Sequence, residues 1–380
     1  MKRIGIITIV KVNNYGAELQ ALALQKKLCL MGYDAEIIDY LFYKHKKHKK
    51  EKCSMPFYPY PLKNRIKEWL LPIYESIKSI PYKKANEKRK EGFASFHKRN
   101  TRFSKECFYS YSQLYKNPPI YDVYCVGSDQ VWNPRCYTNL SPYFVSFAPE
   151  GKKKISYASS FGVKELPESA KAQYSKLLQG LDSISVREDA GVEIVKAVSG
   201  RNATKVVDPT LLLTKTEWQT VAKYDKVPNG KYILLYVLKD SEYIKQTALT
   251  LRDKTGLQIV RICKGAFKQD KPSDNIIDII DAAPDDFLGL IEKAEIVLTN
   301  SFHGTVFSIL FKRDFYTILK RNVENNSRQT SLLNTLHIDR IRYEDTEFIS
   351  GPAIDYRKCE TAINSLKASS EQYLINAIEN

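Results

Sequence analysis

The sequence lacks the features of membrane-spanning and disulfide-rich proteins. None of its apolar runs, over 380 residues, approaches the roughly 18 residues that a membrane span needs. Seven cysteines are scattered without a Cys-x-x-Cys pair, which favours mostly buried, reduced thiols over a disulfide framework or a metal site. The N-terminal apolar run is short and β-branched, and Asn13, Asn14 and Tyr15 follow it instead of a small-residue cleavage site. We therefore expect a cytoplasmic protein.

Acidic residues are scarce in one stretch, residues 44–105, which contains no aspartate. There 19 lysines and arginines face 5 glutamates, in a chain whose formal net charge is +16. Two interpretations stay open for this stretch. It is either a docking surface for an anionic membrane or a solvated, partly flexible insertion. Binding to nucleic acid is not expected, because the sequence contains no recognisable nucleic-acid-binding module.

Apolar β-branched runs alternate with amphipathic stretches, which is typical of parallel sheets flanked by helices. The fold class predicted is α/β, with two Rossmann-like domains facing a cleft. Ligands of such folds bind at the carboxyl ends of the strands, so the cleft is the expected active site. The predicted segments are an N-terminal domain over 1–214 with a basic helical insertion over 44–105, a C-terminal domain over 215–350, and a C-terminal helix within 351–380 that packs back on the first domain.

The sharpest motif is Thr299-Asn300-Ser301-Phe302-His303-Gly304-Thr305. A buried strand is predicted to end there, a turn carries His303, and Gly304 permits close backbone approach before a helix over 305–311. A helix N-terminus offers N–H groups and a positive dipole end to an anion, and a histidine there can bind phosphate or move a proton. The alternative is a capping or packing histidine.

Cations that suit an anionic ligand lie on both sides of the predicted cleft. Lys320 and Arg328 follow the histidine motif, and Arg187 follows a predicted strand at the start of a helix. Arginine suits a bidentate contact with phosphate or carboxylate, and lysine acts as a point charge. The alternatives are solvated surface charges and, for Arg187, an ion pair with Glu188 or Asp189.

Two strand-to-turn motifs of the first half suit sugar recognition. One, residues 126–133, supplies a hydroxyl, a carboxylate, an amide and an indole. The other, residues 13–17, can cradle an anion or a sugar. The candidate acceptor-binding residues are Asn14, Tyr15, Gly16, Ser128, Asp129, Gln130 and Trp132.

Seven blocks, in this order and spacing, resemble the polysaccharide pyruvyl transferase family over most of the chain. They are NNYGAELQALAL (13–24), YDVYCVGSDQVWN (121–133), SYASSFG (156–162), SVRED (185–189), VVDPTLLL (206–213), NSFHGTVFSILF (300–311) and SRQTSLL (327–333). The insertion 44–105 is the main part that the resemblance leaves unmatched.

The resemblance implies a two-domain fold like the glycosyltransferase B architecture, with phosphoenolpyruvate as the donor co-substrate and the donor site in the C-terminal domain, 215–350. It also places His303 and Arg187 in the donor site. The sequence itself shows no cluster of metal ligands, so we expect no metal and no further cofactor. Ser301 stands where some members of the family carry a basic residue, so Arg328 or Lys320 is expected to supply that cation. The donor-binding set is therefore Arg187, Ser301, His303, Gly304, Lys320 and Arg328.

The implied reaction is the transfer of a pyruvyl group to a sugar diol as a ketal, in surface or capsular polysaccharide biosynthesis. We expect His303 to protonate the methylene carbon of the donor and Asp129 to accept a hydroxyl proton. The acceptor partner is a sugar, including a lipid-diphosphate-linked oligosaccharide at the inner face of the plasma membrane. The alternatives are a glycosyltransferase with a nucleotide-sugar donor and a non-catalytic polysaccharide-binding protein.

Overall fold

The computed structural model describes residues 1–55, 70, 80–238, 241–265, 270–321, 323 and 326–380. Within it the chain forms two compact units. The first unit consists of Met1–Leu62, Asn100–Leu213 and Ile363–Asn380, and the second of Lys63–Arg99 and Thr214–Ala362. The change of unit after Leu213 lies one residue from the predicted division of the chain.

The strands are short and mostly apolar. They are β1 (Arg3–Ile7), β2 (Asp34–Tyr40), β3 (Phe103–Phe108), β4 (Val123–Val126), β5 (Lys153–Ser156), β6 (Ser185–Val186), β7 (Thr204–Lys205), β8 (Tyr232–Tyr236), β9 (Gln258–Ile262), β10 (Ile276–Ile279), β11 (Ile296–Thr299), β12 (Asp314–Leu319) and β13 (Ile341–Tyr343).

The α-helices alternate with these strands. They are α1 (Tyr15–Leu30), α2 (Lys83–Asn100), α3 (Tyr111–Lys116), α4 (Glu168–Gln179), α5 (Asp189–Ser199), α6 (Lys215–Gln219), α7 (Glu242–Thr255), α8 (Pro284–Lys293), α9 (Phe302–Leu310), α10 (Ser327–Thr335) and α11 (Tyr356–Glu379).

The first unit is built on a five-stranded parallel sheet in the order β3-β2-β1-β4-β5. All four residues of β4 are buried, as are the last four of β1, because a parallel sheet is covered on both faces. The chain changes direction across the sheet between β1 and β4. The loops that follow these two strands therefore meet at the carboxyl edge, where ligands bind in such sheets.

The second unit is built on a six-stranded parallel sheet in the order β10-β9-β8-β11-β12-β13. Its change of direction falls between β8 and β11, so the loop after β11 lies at the equivalent position. Both units thus have an open parallel sheet flanked by helices. The predicted fold class, α/β with two Rossmann-like domains, is confirmed.

Large aromatic side chains fill the interior of each unit. In the first unit Trp132 is fully buried and stacks on Phe144, with 4.9 Å between the ring centroids. In the second unit Trp218 is fully buried and meets Phe307 edge-on at 5.0 Å. Such aromatic contacts add to the stabilisation from buried apolar area.

The basic stretch 44–105 does not form one insertion in the first unit. Its early part belongs to the first unit, whereas α2 belongs to the second. Phe93 and Phe96 of α2 are buried, and Arg99 forms an ion pair of 2.6 Å with the buried Asp285. The prediction of a helical insertion in the first domain is therefore wrong for α2. Residues 56–69 and 71–79 lie outside the described residues.

All seven cysteines are free. Cys125, Cys263 and Cys359 are buried as expected, but Cys29 and Cys53 are exposed. Cys29 lies in the last turn of α1, and Cys53 follows the lysine-rich run, so neither faces a core. The expectation of mostly buried thiols is corrected accordingly.

Helix α11 contributes to both units. Its residues from Ile363 onward belong to the first unit. There the Ser370 hydroxyl accepts a hydrogen bond of 3.1 Å from the backbone N–H of Val207, and the Tyr373 hydroxyl donates one of 2.9 Å to the carbonyl of Ser156. These bonds attach the end of the chain to the loop after β7 and to the end of β5.

Candidate functional site

In the second unit, a set of short hydrogen bonds fixes the loop between β11 and α9. The Thr299 hydroxyl donates to the carbonyl of Tyr236 at the end of β8 (2.6 Å) and accepts from the N–H of Ser301 (3.0 Å). The Ser301 hydroxyl then caps α9 by accepting from the N–H of Gly304 (3.3 Å). The start of α9 is thereby held at the carboxyl edge of the sheet.

His303 is the second residue of α9, not part of a turn before it as predicted. Helix α9 begins at Phe302 because Ser301 supplies the cap. The imidazole is 7% exposed, and its ring lies edge-on to Phe302 with 5.2 Å between centroids. His303 therefore sits in the helical turn whose N–H groups and dipole favour an anion.

Two residues of the predicted donor-binding set have structural roles. A Cβ atom on Gly304 would lie 2.4 Å from the Thr299 hydroxyl oxygen, so only glycine fits there. The N–H of Gly304 is bonded to Ser301, and Ser301 is only 3% exposed. We correct the predicted donor-binding role of both residues to packing and capping.

Helix α10 brings Arg328 to the same place. Arg328 is 7% exposed, and its guanidinium carbon lies 5.6 Å from the centroid of the Phe302 ring, a cation–π contact. The next residue, Gln329, is 4% exposed and donates a long hydrogen bond of 3.5 Å to the carbonyl of Asn300. The first turn of α10 thus packs against Phe302 and the loop just before His303.

Lys320 follows the last residue of β12 and is the more exposed of the two predicted cations. Its side chain is 59% exposed, and its ammonium lies 3.4 Å from the Glu344 carboxylate. Arg328 contacts the residue beside His303, whereas Lys320 is balanced by a carboxylate. Of the two, Arg328 is the better placed to assist His303.

In the first unit, Arg187 lies at the centre of a buried ion-pair cluster. Its side chain is 2% exposed and donates a 2.6 Å hydrogen bond to the Asp208 carboxylate. Glu188 lies 3.8 Å away and Asp129 3.9 Å away. Burial acts to lower the pKa of Arg187, but these three carboxylates together raise it above its ordinary value. Asp208 is the nearest partner, Glu188 pairs with Arg187 as the sequence alternative allowed, and Asp189 pairs with Lys205 instead.

The two buried carboxylates of this cluster also hold the neighbouring loops. Asp208 accepts further bonds from the hydroxyls of Ser128 (3.1 Å) and Thr210 (2.6 Å). Glu188 accepts from the hydroxyl of Ser160 (2.7 Å) and from the N–H of Phe161 (3.1 Å). An anionic donor would share the Arg187 guanidinium with these carboxylates, so donor binding by Arg187 stays a prediction.

Asp129 is the most exposed carboxylate of the cluster, at 17% of its side chain. Its φ is +72°, a left-handed conformation that is unusual for a residue other than glycine and is often found at functional sites. The neighbouring Gln130 is also partly exposed and accepts a 2.5 Å hydrogen bond from the Asn133 side chain. These two residues remain candidates for contact with the acceptor.

Several of the predicted acceptor-binding side chains are inaccessible. Trp132 and Ser128 are 0% exposed, and the Trp132 indole N–H donates to the carbonyl of Tyr143 (2.7 Å). Tyr15 is 3% exposed, and Gly16 is buried in the first turn of α1. We correct these four assignments, because a sugar needs exposed surface to contact.

Asn14 is exposed, and its side chain caps α1 by accepting from the N–H of Ala17 (3.3 Å). It therefore remains at the carboxyl edge of the first sheet as a candidate acceptor contact.

The predicted residues fall into two groups, Asp129 with Arg187 in the first unit and His303 with Arg328 in the second. Sequence reasoning missed Asp208 and Gln329 as members of these groups, although both lie within quoted blocks.

Among solved structures, UDP-GlcNAc 2-epimerase from Methanocaldococcus jannaschii is 12% identical, with 95% of this chain and 92% of that chain covered and a TM-score of 0.45. UDP-N-acetylglucosamine 2-epimerase from Rickettsia bellii is 8% identical, with 100% and 97% covered and a TM-score of 0.49. The E. coli heptosyltransferase WaaC is 11% identical, with 97% and 99% covered and a TM-score of 0.38.

No curated protein is significantly similar to this chain in sequence. The profile of the polysaccharide pyruvyl transferase family, by contrast, matches residues 14–319. That range contains Asp129, Arg187 and His303. The chain belongs to the polysaccharide pyruvyl transferase family.

Proposed function

We propose that this protein transfers a pyruvyl group from phosphoenolpyruvate to two hydroxyl groups of a sugar, forming a ketal. The observation that carries the proposal is the position of His303. The chain belongs to the polysaccharide pyruvyl transferase family. His303 lies in the first turn of α9, and Arg328 makes a cation–π contact with the adjacent Phe302. An imidazole, a helix N-terminus and a guanidinium at one place suit an anionic donor.

The donor carries a phosphate and a carboxylate, and each needs positive partners. The N-terminus of α9 favours one anionic group through its dipole and N–H groups. Arg328 supplies a guanidinium that can bind the other in a bidentate manner. Lys320, at the end of β12, adds an exposed ammonium at the same sheet edge. Among the described residues of the second unit, this is the set we assign to the donor.

The reaction is balanced by one proton transfer to carbon and one phosphate departure. We assign His303 as the acid that protonates the methylene carbon of phosphoenolpyruvate, which leaves positive charge at C2. One sugar hydroxyl attacks C2, the C2–O bond to phosphate breaks, and the second hydroxyl closes the ketal. Of the two hydroxyl protons, one accounts for the new methyl group and one leaves with the phosphate.

Asp129 is the residue we assign to accept a hydroxyl proton from the acceptor. It is a carboxylate with exposed surface, whereas Asp208 and Glu188 are buried and already accept hydrogen bonds from hydroxyl and N–H donors. Arg187, 3.9 Å away, positions it. The acceptor we propose is a sugar diol of a surface or capsular polysaccharide.

The deciding experiment measures phosphate release from phosphoenolpyruvate with galactose-, mannose- and glucose-containing acceptors. Acceptor-dependent release, with pyruvate gained by the product, is the expected result. His303→Gln should reduce kcat by about 10²–10⁴, the range for a lost general acid. The control is His337→Asn, since His337 is an exposed histidine of the same unit and its replacement should leave kcat unchanged.

Two outcomes would overturn the proposal. Near-normal turnover of His303→Gln would remove that residue from proton transfer. Absence of phosphate release, together with failure of phosphoenolpyruvate to raise the melting temperature, would remove the donor itself. A melting temperature raised by a nucleoside diphosphate instead would favour a glycosyltransferase that uses a nucleotide-sugar donor.

A further inference from the structure

The basic loop, residues 44–52 with the sequence KHKKHKKEK, concentrates positive charge on the first unit. It contains six lysines and one glutamate, and all six lysines are exposed. The one acidic residue of the loop, Glu51, accepts a 2.8 Å hydrogen bond from the backbone N–H of Ser112. With six lysines and one glutamate, the loop keeps a strong positive charge. The loop therefore presents a compact cationic surface to solvent.

The backbone of the basic loop is fixed to the sheet. The N–H of Lys49 donates to the carbonyl of Tyr109 just after β3 (2.7 Å), and the His48 ring bonds the carbonyl of Leu41 (2.9 Å). Beyond the loop, the Asn139 side chain donates to the carbonyl of Cys53 (2.8 Å). The lysines thus extend from an ordered platform, which lowers the entropy cost of presenting them together.

The basic loop lies at the same edge of the sheet as the candidate acceptor residues. It follows β2, which is parallel to β1, so the loops after both strands lie at the carboxyl edge. Lys11, in the loop after β1, forms an ion pair of 2.6 Å with Asp39 of β2. Burial and the nearby positive charge of Lys11 lower the pKa of His45 within the loop. Asn14 and the basic loop therefore belong to one edge.

We infer that the basic loop is an electrostatic docking surface for an anionic phospholipid membrane, and that it holds the acceptor edge of the first unit at the lipid headgroups. Clusters of four to eight cationic residues bind such surfaces electrostatically. Where the proposed function holds, the acceptor class that follows is a sugar linked to a lipid diphosphate. Docking itself does not depend on that function.

The composition of the loop favours a lipid surface over nucleic acid. Surfaces that bind nucleic acid combine arginine with aromatic side chains that stack on bases. Residues 44–52 contain neither arginine nor an aromatic residue other than histidine. Met55, just beyond the loop, is 61% exposed and adds an apolar side chain at the same place. Across the described ranges, no helix has the length and apolarity to cross a bilayer, so the attachment we propose is peripheral.

The test is sedimentation of the full chain with phosphatidylglycerol–phosphatidylcholine vesicles, compared with pure phosphatidylcholine vesicles. Binding to the anionic vesicles at about 50 mM salt, and its loss at about 500 mM, is expected because the interaction is electrostatic. The loop variant replaces Lys46, Lys47, Lys49 and Lys50 with glutamine and should weaken binding at least about tenfold. The control replaces four lysines of the same unit outside the loop, Lys152, Lys153, Lys176 and Lys196.

Equal binding by the two variants would assign the effect to net charge and overturn the docking role of the loop. Failure of the unmodified chain to bind anionic vesicles at low salt would overturn it as well. Binding of single-stranded RNA with no vesicle binding would overturn the proposal and show that the basic loop binds nucleic acid. Phosphate release with a water-soluble acceptor is measured separately, so failure of docking and failure of the proposed reaction are distinguishable.

Discussion

The buried Arg187–Asp208 pair gives the most direct prediction about the first unit. Asp208 is 1% exposed and accepts bonds from Arg187 (2.6 Å), Ser128 (3.1 Å) and Thr210. The perturbation is Asp208→Ala, with Asp208→Asn as the variant of similar shape. Both remove the negative charge while leaving the Arg187 guanidinium buried.

The cost follows from what the change leaves behind. Breaking a buried ion pair by removing one partner costs about 3–5 kcal/mol, because the remaining charge has lost its partner. Glu188 and Asp129 still lie within 4 Å of the guanidinium and compensate part of this loss. We therefore expect about 3 kcal/mol for Asp208→Ala. Asp208→Asn should cost about 2 kcal/mol, because the amide oxygen can still accept a hydrogen bond from a charged donor.

The assay is urea unfolding, with peptide-level hydrogen exchange to separate the first unit from the second, since a chain of two units need not unfold in one step. Asp189→Asn is the matched control. Its side chain is 67% exposed and pairs with Lys205 at 2.7 Å, so the loss should stay below about 0.5 kcal/mol. A cost below about 1 kcal/mol for Asp208→Ala would refute the reasoning. So would a double variant, Asp208→Leu with Arg187→Met, that is less stable than Asp208→Ala.

Three further predictions test the packing, the pH response and the corrected assignments. Gly304→Ala should destabilise the second unit by about 1–3 kcal/mol in urea unfolding, because the new Cβ would contact Thr299. The control Gly180→Ala should be tolerated in the same assay, because its new Cβ would lie 3.4 Å from the nearest neighbouring atom. Burial lowers the pKa of His48 below its ordinary 6.5, so the unfolded chain binds the proton more tightly and stability falls as pH drops below about 6.5. His48→Gln should reduce that fall in urea titrations at pH 7.5 and pH 5; an unchanged difference would contradict it. Trp132→Phe should cost about 1–3 kcal/mol of unfolding free energy yet leave the acceptor KM unaltered, and a raised KM would restore Trp132 to the acceptor site.

The strands that lie inside the two sheets could be predicted from sequence, as could the edge strand β5, whereas the edge strands β3, β10 and β13 could not. β4, β8 and β11 are short apolar runs because both of their faces are buried. β3 and β13 lie at sheet edges, pair on one side only and include exposed or half-buried residues. Their sequences therefore carry no continuous apolar pattern to recognise.

The candidate site was predictable in its motifs but not in its local geometry. His303 and Arg328 lie in the first turns of two neighbouring helices, and Ser301 serves as a helix cap. Trp132 and Tyr15 are polar-tipped aromatics whose pattern fits a sugar site and a core equally well. For Trp132, burial is decided by contacts such as the stack on Phe144, which only the fold brings close.

Because α11 belongs to the first unit only from Ile363 onward, that unit is assembled from three separated stretches of chain. During synthesis, the second unit has all its residues before the first does. The bonds that Ser370 and Tyr373 make within the first unit cannot form until these residues have been synthesised, after the whole of the second unit. The first unit is thus expected to acquire its final stability after the second, and removal of the last turns of α11 should impair the first unit most.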